Sequence, residues 1–154
     1  MVLTTDSVYD AFYDDYGKLN AFLHSHSYTG NPLACAAANA SLALWDEEPV
    51  MARIGQIHDW QARALKRFAA RPDVANPRHT GTIMAFDIQV DDPGYLSGIG
   101  PKLYRFCLDQ GVLLRPLGQT LYMLPPYCLS RNDFDAIVAT LDRALDAVRD
   151  GTLE

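Results

Sequence analysis

The spacing of apolar positions changes several times along this chain, and each change marks an element. From Pro32 to about Asp46, Leu33, Ala36, Ala37, Ala40 and Leu44 recur at the intervals of one helix face. That stripe is mostly small side chains, so another backbone can approach it closely. Glu47-Glu48-Pro49 breaks the helix, because the residue before a proline is pushed out of the helical region. A longer helix is predicted over 49–70, with Val50, Ile54, Ile57, Ala64, Leu65 and Phe68 inward and Arg53, Arg63, Lys66 and Arg67 toward water. Ahead of these, Val2-Leu3-Thr4-Thr5 reads as the tail of a strand. Asp6 reads as the cap of a short helix through Tyr16 that Gly17 ends, and 18–29 as loop.

Beyond Phe68 the period shortens. Arg71-Pro72-Asp73 and Asn76-Pro77 predict a turn-rich break, and His79–Val90 alternates as one strand. Asp91-Asp92-Pro93-Gly94 turns the chain, and Ile99, Leu103, Phe106 and Cys107 mark a helix stopped by Gly111. Val112–Arg115 and Thr120–Leu124 predict two short antiparallel strands joined by Pro116-Leu117-Gly118-Gln119. Ser130 caps a last helix whose inner face is Phe134, Ile137, Val138, Leu141, Leu145 and Val148. From residue 78 on, the sum is an α+β layer of strands covered by helices. Residues 1–30 fit no part of that layer.

With 154 residues, 49% of them apolar, the chain can fill the core of one ordinary domain. The net charge of -6 and the lack of a dense basic run exclude a nucleic-acid partner. The opening Met1–Asp6 lacks the basic flank and apolar run of a secretory leader, and no stretch approaches the ~20 apolar residues of a membrane span, so no membrane is expected. Cys35, Cys107 and Cys128 are odd in number and widely spaced, which points to a cytoplasmic setting without disulfides or a zinc site.

Candidate chemistry gathers in two places. In His24-Ser25-His26-Ser27-Tyr28-Thr29-Gly30-Asn31-Pro32, hydroxyls and imidazoles precede an Asn cap and a proline at the first helical position. Such a helix terminus can hold an anion, and it is also common with no ligand at all. His24 and His26 lack a third ligand at metal-binding spacing, so no metal is expected. Ser25 or Ser27 with His79 and Asp87 forms a nucleophile set only on paper, since no Gly-x-Ser-x-Gly elbow organises it. In the second place, Arg115 ends an apolar strand and is pinned by Pro116. Its guanidinium projects from a rigid element, as bidentate carboxylate recognition requires, or else it pairs with a surface acid.

The run Phe22–Leu42, with its Gly-Asn-Pro-Leu-Ala-Cys-Ala-Ala-Ala-Asn-Ala-Ser core, and the run Leu114-Arg-Pro-Leu-Gly…Leu-Tyr-Met-Leu-Pro-Pro-Tyr127 resemble class III pyridoxal-phosphate aminotransferases. More narrowly, they resemble those of biotin synthesis, and the likeness extends over essentially the whole chain. The resemblance implies the C-terminal part of a fold-type I transferase. Residues 1–46 would be a remnant of the large cofactor-binding domain plus a linking helix. Residues 47–154 would be a small domain with a short, mainly antiparallel sheet covered by helices.

The resemblance also implies an amino group moved from S-adenosylmethionine to 8-amino-7-oxononanoate, giving 7,8-diaminononanoate, with pyridoxal 5'-phosphate as cofactor. Ser27 matches a position, usually Thr, that binds the cofactor phosphate and in the family's homodimers reaches into the neighbouring subunit's site. His26 matches the adjoining phosphate contact, through its backbone, and Ser25 a position, often Gly, against the keto substrate. Arg115 matches the arginine that pairs with the substrate carboxylate, Tyr122 a pocket-lining tyrosine, and Leu117 replaces what is often an aromatic residue. The family's cofactor-bearing lysine corresponds to a segment upstream of Val2, so the missing N-terminal part of the enzyme is an implied partner and the chain alone is expected to be inactive. Lys18, Lys66 and Lys102 are the only lysines present. Competing readings are a non-catalytic anion-binding or assembly module, and part of another class III aminotransferase.

Overall fold

The computed structural model describes residues 3–21 and 30–153, and the chain divides into two compact units, 1–47 and 48–154. In the first unit, helix α1 runs Asp6–Phe12, a single 3₁₀ turn covers Tyr16–Lys18, and helix α2 runs Pro32–Glu47. Asp6 is the first helical residue rather than the cap, a place taken by Thr5 without a side-chain hydrogen bond. The helix also stops short of Tyr16. Beyond it, the Asp14 carboxylate accepts from the Asp15 N–H (2.8 Å), Lys18 Nζ (2.8 Å) and Asn20 Nδ2 (2.9 Å), local bonds that compete with helical ones. Residues 3–5 form no strand, and Val2 lies outside the described residues. At α2 the expected cap is present: Asn31 Oδ1 accepts from the Leu33 N–H (3.0 Å) and the Ala34 N–H (3.3 Å). No residue of α2 is buried.

The second unit opens with helix α3, Val50–Phe68, which buries Val50, Ile57, Gln61, Ala64, Leu65 and Phe68. The single strand expected over 79–90 is instead a hairpin of β1, Val74–Thr80, and β2, Ile83–Ile88. Gly81, at φ +56°, makes the reversal in a conformation that costs other residues more. The Asn76-Pro77 pair does not end the strand either. It sits where the register slips between Ala75 and Arg78, on an edge strand, where a residue without an N–H removes no ladder bond.

Helix α4, Ile99–Asp109, ends as expected at Gly111 (φ +78°): the Gly111 N–H reaches Leu108 O and the Val112 N–H reaches Cys107 O, both at 2.9 Å. Strand β3, Thr120–Met123, follows. The strand expected over 112–115 does not form, and only a Leu117–Thr120 bridge precedes β3. Pro116 supplies no N–H next to that bridge, so the ladder has no donor there with which to continue. Helix α5, Arg131–Arg149, starts at Ser130, whose Oγ accepts from the Asp133 N–H (3.1 Å).

The sheet is antiparallel in the order β1-β2-β3. Pairing of Met84 with Met123 and Phe86 with Leu121 puts these four on one face, where Phe68, Leu103, Leu141 and Leu145 from the helices complete the core. The rings of Phe68 and Phe86 meet at 5.1 Å between centroids. Arg71, just past α3, clamps Asp73 with two bonds (2.9 and 2.8 Å) and Asp146 of α5 with a third (2.9 Å).

The fully buried Gln61 ties α3 to the hairpin, accepting from His79 Nε2 (3.2 Å) and donating to Thr82 O (2.9 Å). The ring of His58 stacks on His79 at 4.2 Å and its Nδ1 donates to Gly81 O (2.9 Å). Burial, and then the neighbouring His58, push the His79 pKa below the ordinary 6.5. The unfolded chain therefore takes up a proton at His79 before the folded one does, so stability falls as pH drops below 6.5. Replacing His79 with Gln, which keeps a donor toward Gln61, is expected to flatten the decline in urea midpoint between about pH 7 and about pH 5.5.

Candidate functional site

An open groove of about 760 Å³ lies between the turn at 95–97, one side of α4 and the segment 115–118. Each wall has a simple origin. On α4, Leu103 and Cys107 turn inward to the core, which leaves Tyr104 and Arg105 on the outer side. On the turn, Tyr95 and Leu96 are exposed. The third wall is Arg115-Pro116-Leu117-Gly118. Arg115 is exposed, forms no ion pair among the described residues, and precedes a tight Leu117–Thr120 pair closed by two 3.0 Å backbone bonds. The arrangement suits an elongated ligand with an anionic end, because an unpaired guanidinium keeps its whole fork of donors available.

The turn beneath Arg115 is packed backbone against backbone. Gly118 has φ +59°, and a Cβ built there would stand 1.9 Å from Gly94 O. A Cβ at Gly100 would stand 3.1 Å from Gly118 O. Gln119 completes the junction: its Oε1 accepts from the Gly94 N–H (2.6 Å) and its carbonyl accepts from the Ile88 N–H (2.9 Å).

Tyr122 is half-buried on β3, opposite Ala85, on the sheet face away from the core, and it is not among the residues that line this groove. On the same face Asp87 accepts from Asn76 Nδ2 (2.9 Å), Thr120 Oγ1 (2.8 Å) and both Arg78 Nη atoms (3.1 Å each). Burial works to raise the Asp87 pKa, but the bonds from Asn76, Thr120 and Arg78 outweigh it and hold the carboxyl below the usual range. His79 pairs with Met84 and so belongs to the opposite face, which separates the two members of the paper nucleophile set that the structure describes.

Ser25, His26 and Ser27 lie outside the described residues, as do His24, Tyr28 and Thr29. The helix end they precede is not a free anion site, since Asn31 occupies the Leu33 and Ala34 N–H groups. The lysines are equally committed to the surface. Lys18 pairs with Asp14 (2.8 Å), Lys66 stands in the last turn of α3, and Lys102 donates to Leu153 O (3.3 Å). The described residues therefore do not by themselves fit a pyridoxal-phosphate site. Among them no group of three His, Cys, Asp or Glu side chains could hold a metal, and no helix is long and apolar enough to cross a membrane.

Of the residues that line this groove, Arg115 stands out in the sequence, whereas Tyr95, Tyr104, Arg105 and the Gly94–Gly118 contact do not. The outward positions of α4 follow from its helical period. The glycine contact joins two turns that have no local signal for each other.

Comparison with known proteins adds lineage. Residues 1–145 match the family model described as aminotransferase class-III. An adenosylmethionine-8-amino-7-oxononanoate aminotransferase from Helicobacter pylori is 39% identical over 154 residues, covering 97% of this chain and 35% of that protein. The protein of the same name from Synechococcus elongatus is 40% identical over 149 residues, covering 96% of this chain and 34% of its own length. The crystal structure of such an aminotransferase from Methanocaldococcus jannaschii superposes with a TM-score of 0.71 at 26% identity, covering 93% of this chain and 34% of that one. The chain thus spans about a third of the length of the relatives it matches.

Proposed function

The chain belongs to the class III aminotransferases, and from that premise we propose that it is the C-terminal part of the member that serves biotin synthesis. The whole enzyme moves an amino group from S-adenosylmethionine to 8-amino-7-oxononanoate, giving 7,8-diaminononanoate. What supports this most within the fold is Arg115, an arginine without an ion pair among the described residues, held on a tight turn at the edge of an open groove. A keto acid with a long chain and a terminal carboxylate needs such a fork, because a rigid guanidinium fixes both the position and the direction of the carboxylate.

Each part of the chain has a share in this reading. Arg115 anchors the carboxylate, Ser25 stands beside the substrate, and Tyr122, which does not line the groove at Arg115, takes part only where the substrate extends beyond that groove. The Ser27 hydroxyl and the His26 backbone hold the cofactor phosphate, in the neighbouring subunit's site of a homodimer. Residues 1–46 belong to the large domain and 47–154 to the small one, in a cytoplasmic enzyme. Pyridoxal phosphate, once bound, supplies the electron sink that amino transfer needs. This chain contributes anchoring and orientation, and the lysine that carries the cofactor comes from the N-terminal part.

A polypeptide of these 154 residues alone is accordingly expected to give no transamination, even with added cofactor. None of its lysines is set in a desolvated pocket of the kind that yields a reactive amine. A sensitive product assay on the isolated chain, repeated after co-expression with an N-terminal part from a relative, checks this. Product from the chain alone would overturn the inactivity. Product, together with the visible absorbance of bound cofactor, only after co-expression supports complementation. Tight phosphate or carboxylate binding without complementation would favour a non-catalytic module.

A further inference from the structure

We propose that Gln119, acting with the Gly94–Gly118 contact, is the positioning residue for Arg115 and sets how strictly the groove demands a carboxylate. The inference rests on the carboxylate reading of Arg115 and adds to it the group that fixes the arginine's place.

Arg115 and Pro116 leave the fold through a turn fastened at several points. The Leu117–Thr120 backbone pair closes its base at 3.0 Å. The Gln119 carbonyl ties it to β2 through the Ile88 N–H at 2.9 Å. The Gln119 side chain crosses to the 94–97 turn and accepts from the Gly94 N–H at 2.6 Å, the shortest link of the set. The Gly94 carbonyl is in use as well, accepting from the Ser97 N–H at 3.1 Å. Because a Cβ on Gly118 would stand 1.9 Å from that carbonyl, the two turns are already in backbone contact and cannot move closer. The Gln119 amide keeps them from moving apart.

The two turns are also two walls of the same groove, Arg115 on one and Tyr95 on the other. A single side-chain bond therefore governs both the width of the groove and the point from which the guanidinium reaches. Loss of the link would leave the charge of Arg115 in place and loosen its aim, which weakens a bidentate pair far more than a contact with an uncharged tail.

The test uses the full-length enzyme, with 8-amino-7-oxononanoate and its methyl ester as acceptors. The reading is the ratio of their kcat/KM values, with the melting temperature followed in parallel. Gln119→Ala is expected to lower the preference for the acid by about tenfold, mainly through KM for the acid, while the ester is used as before. Gln119→Glu, which keeps an acceptor for the Gly94 N–H, is expected to retain the preference. In an Arg115→Ala background, Gln119→Ala is expected to change the ratio no further, since coupled residues give non-additive effects.

A Gln119→Ala enzyme with a lower melting temperature and an unchanged ratio would make the link merely structural and overturn the proposal. The same ratio loss in Gln119→Ala with and without Arg115 would overturn it too. If Arg115→Ala itself leaves the ratio unchanged, the carboxylate reading falls and takes this inference with it, so the two failures are told apart. Gly118→Ala, which forces the turns apart from the other side, is expected to act in the same direction if the variant folds. Because Gln119→Ala introduces no clash, the outcome does not hang on that variant.

Discussion

Replacing Arg115 with alanine in the complete enzyme is expected to raise KM for the keto acid about 30-fold to 700-fold, with a much smaller change in kcat. The range corresponds to a loss of about 2–4 kcal/mol, the cost of removing one member of a charge pair once the bound substrate and the rest of the enzyme shield the exposed Arg115 from water, at about 1.4 kcal/mol per tenfold. The effect falls on KM because the carboxylate lies at the far end of the substrate from the reacting carbonyl. It is held equally well in the ground state and the transition state, which is the condition for uniform binding. Lysine at 115 is expected to recover only part of the loss, since an ammonium returns the charge without the fork. Steady-state kinetics with the keto acid varied decides it, and an unchanged KM in the alanine variant would remove Arg115 from the site.

The second large effect concerns stability. Phe68 is wholly buried at the end of α3, with its ring against Phe86 of β2, so it joins the helix layer to the sheet at the centre of the core. Phe68→Ala is expected to cost about 3–5 kcal/mol, the lost transfer energy plus the cavity that its neighbours fill only in part. Domains of this size are stable by only about 5–15 kcal/mol, so the urea midpoint of the isolated chain should fall by a large fraction of its value. The adjacent Arg67 is an internal control. It lies on the exposed side of the same helix, where truncation is expected to shift the midpoint little. A similar small shift for Phe68→Ala would mean that residues 48–154 are not held by this core.

Helices α2 to α5 were legible in the sequence because their caps and apolar faces are local, whereas the short α1 was misread at both ends. Asn31, Ser130 and Gly111 each act within one turn of the residues they serve. The strands were harder, for a reason that Gly81 makes plain. The alternation from His79 to Val90 runs on through the reversal at Gly81, so periodicity cannot tell one long strand from two antiparallel ones. Asn76-Pro77 carried a turn signal that the sheet overrode by placing it in an edge-strand irregularity. At the groove, Arg115-Pro116 could be picked out by charge and stiffness, but its surroundings could not. Tyr95 and Tyr104 share the groove with it, and Gly94 meets Gly118 and Gln119, only through the tertiary fold, and nothing in a one-dimensional pattern records which two turns will touch.

The absence of any buried residue in α2 has a calorimetric meaning. Heat capacity change on unfolding follows the apolar surface that leaves the protein interior for water. Among the described residues the buried apolar side chains all belong to 50–153. Residues 32–47 add a full helix to the backbone signal and almost nothing to that heat capacity. Their helical structure is held by backbone hydrogen bonds and an asparagine cap, enthalpic terms that weaken steadily on warming and lack the cooperative melting of a core.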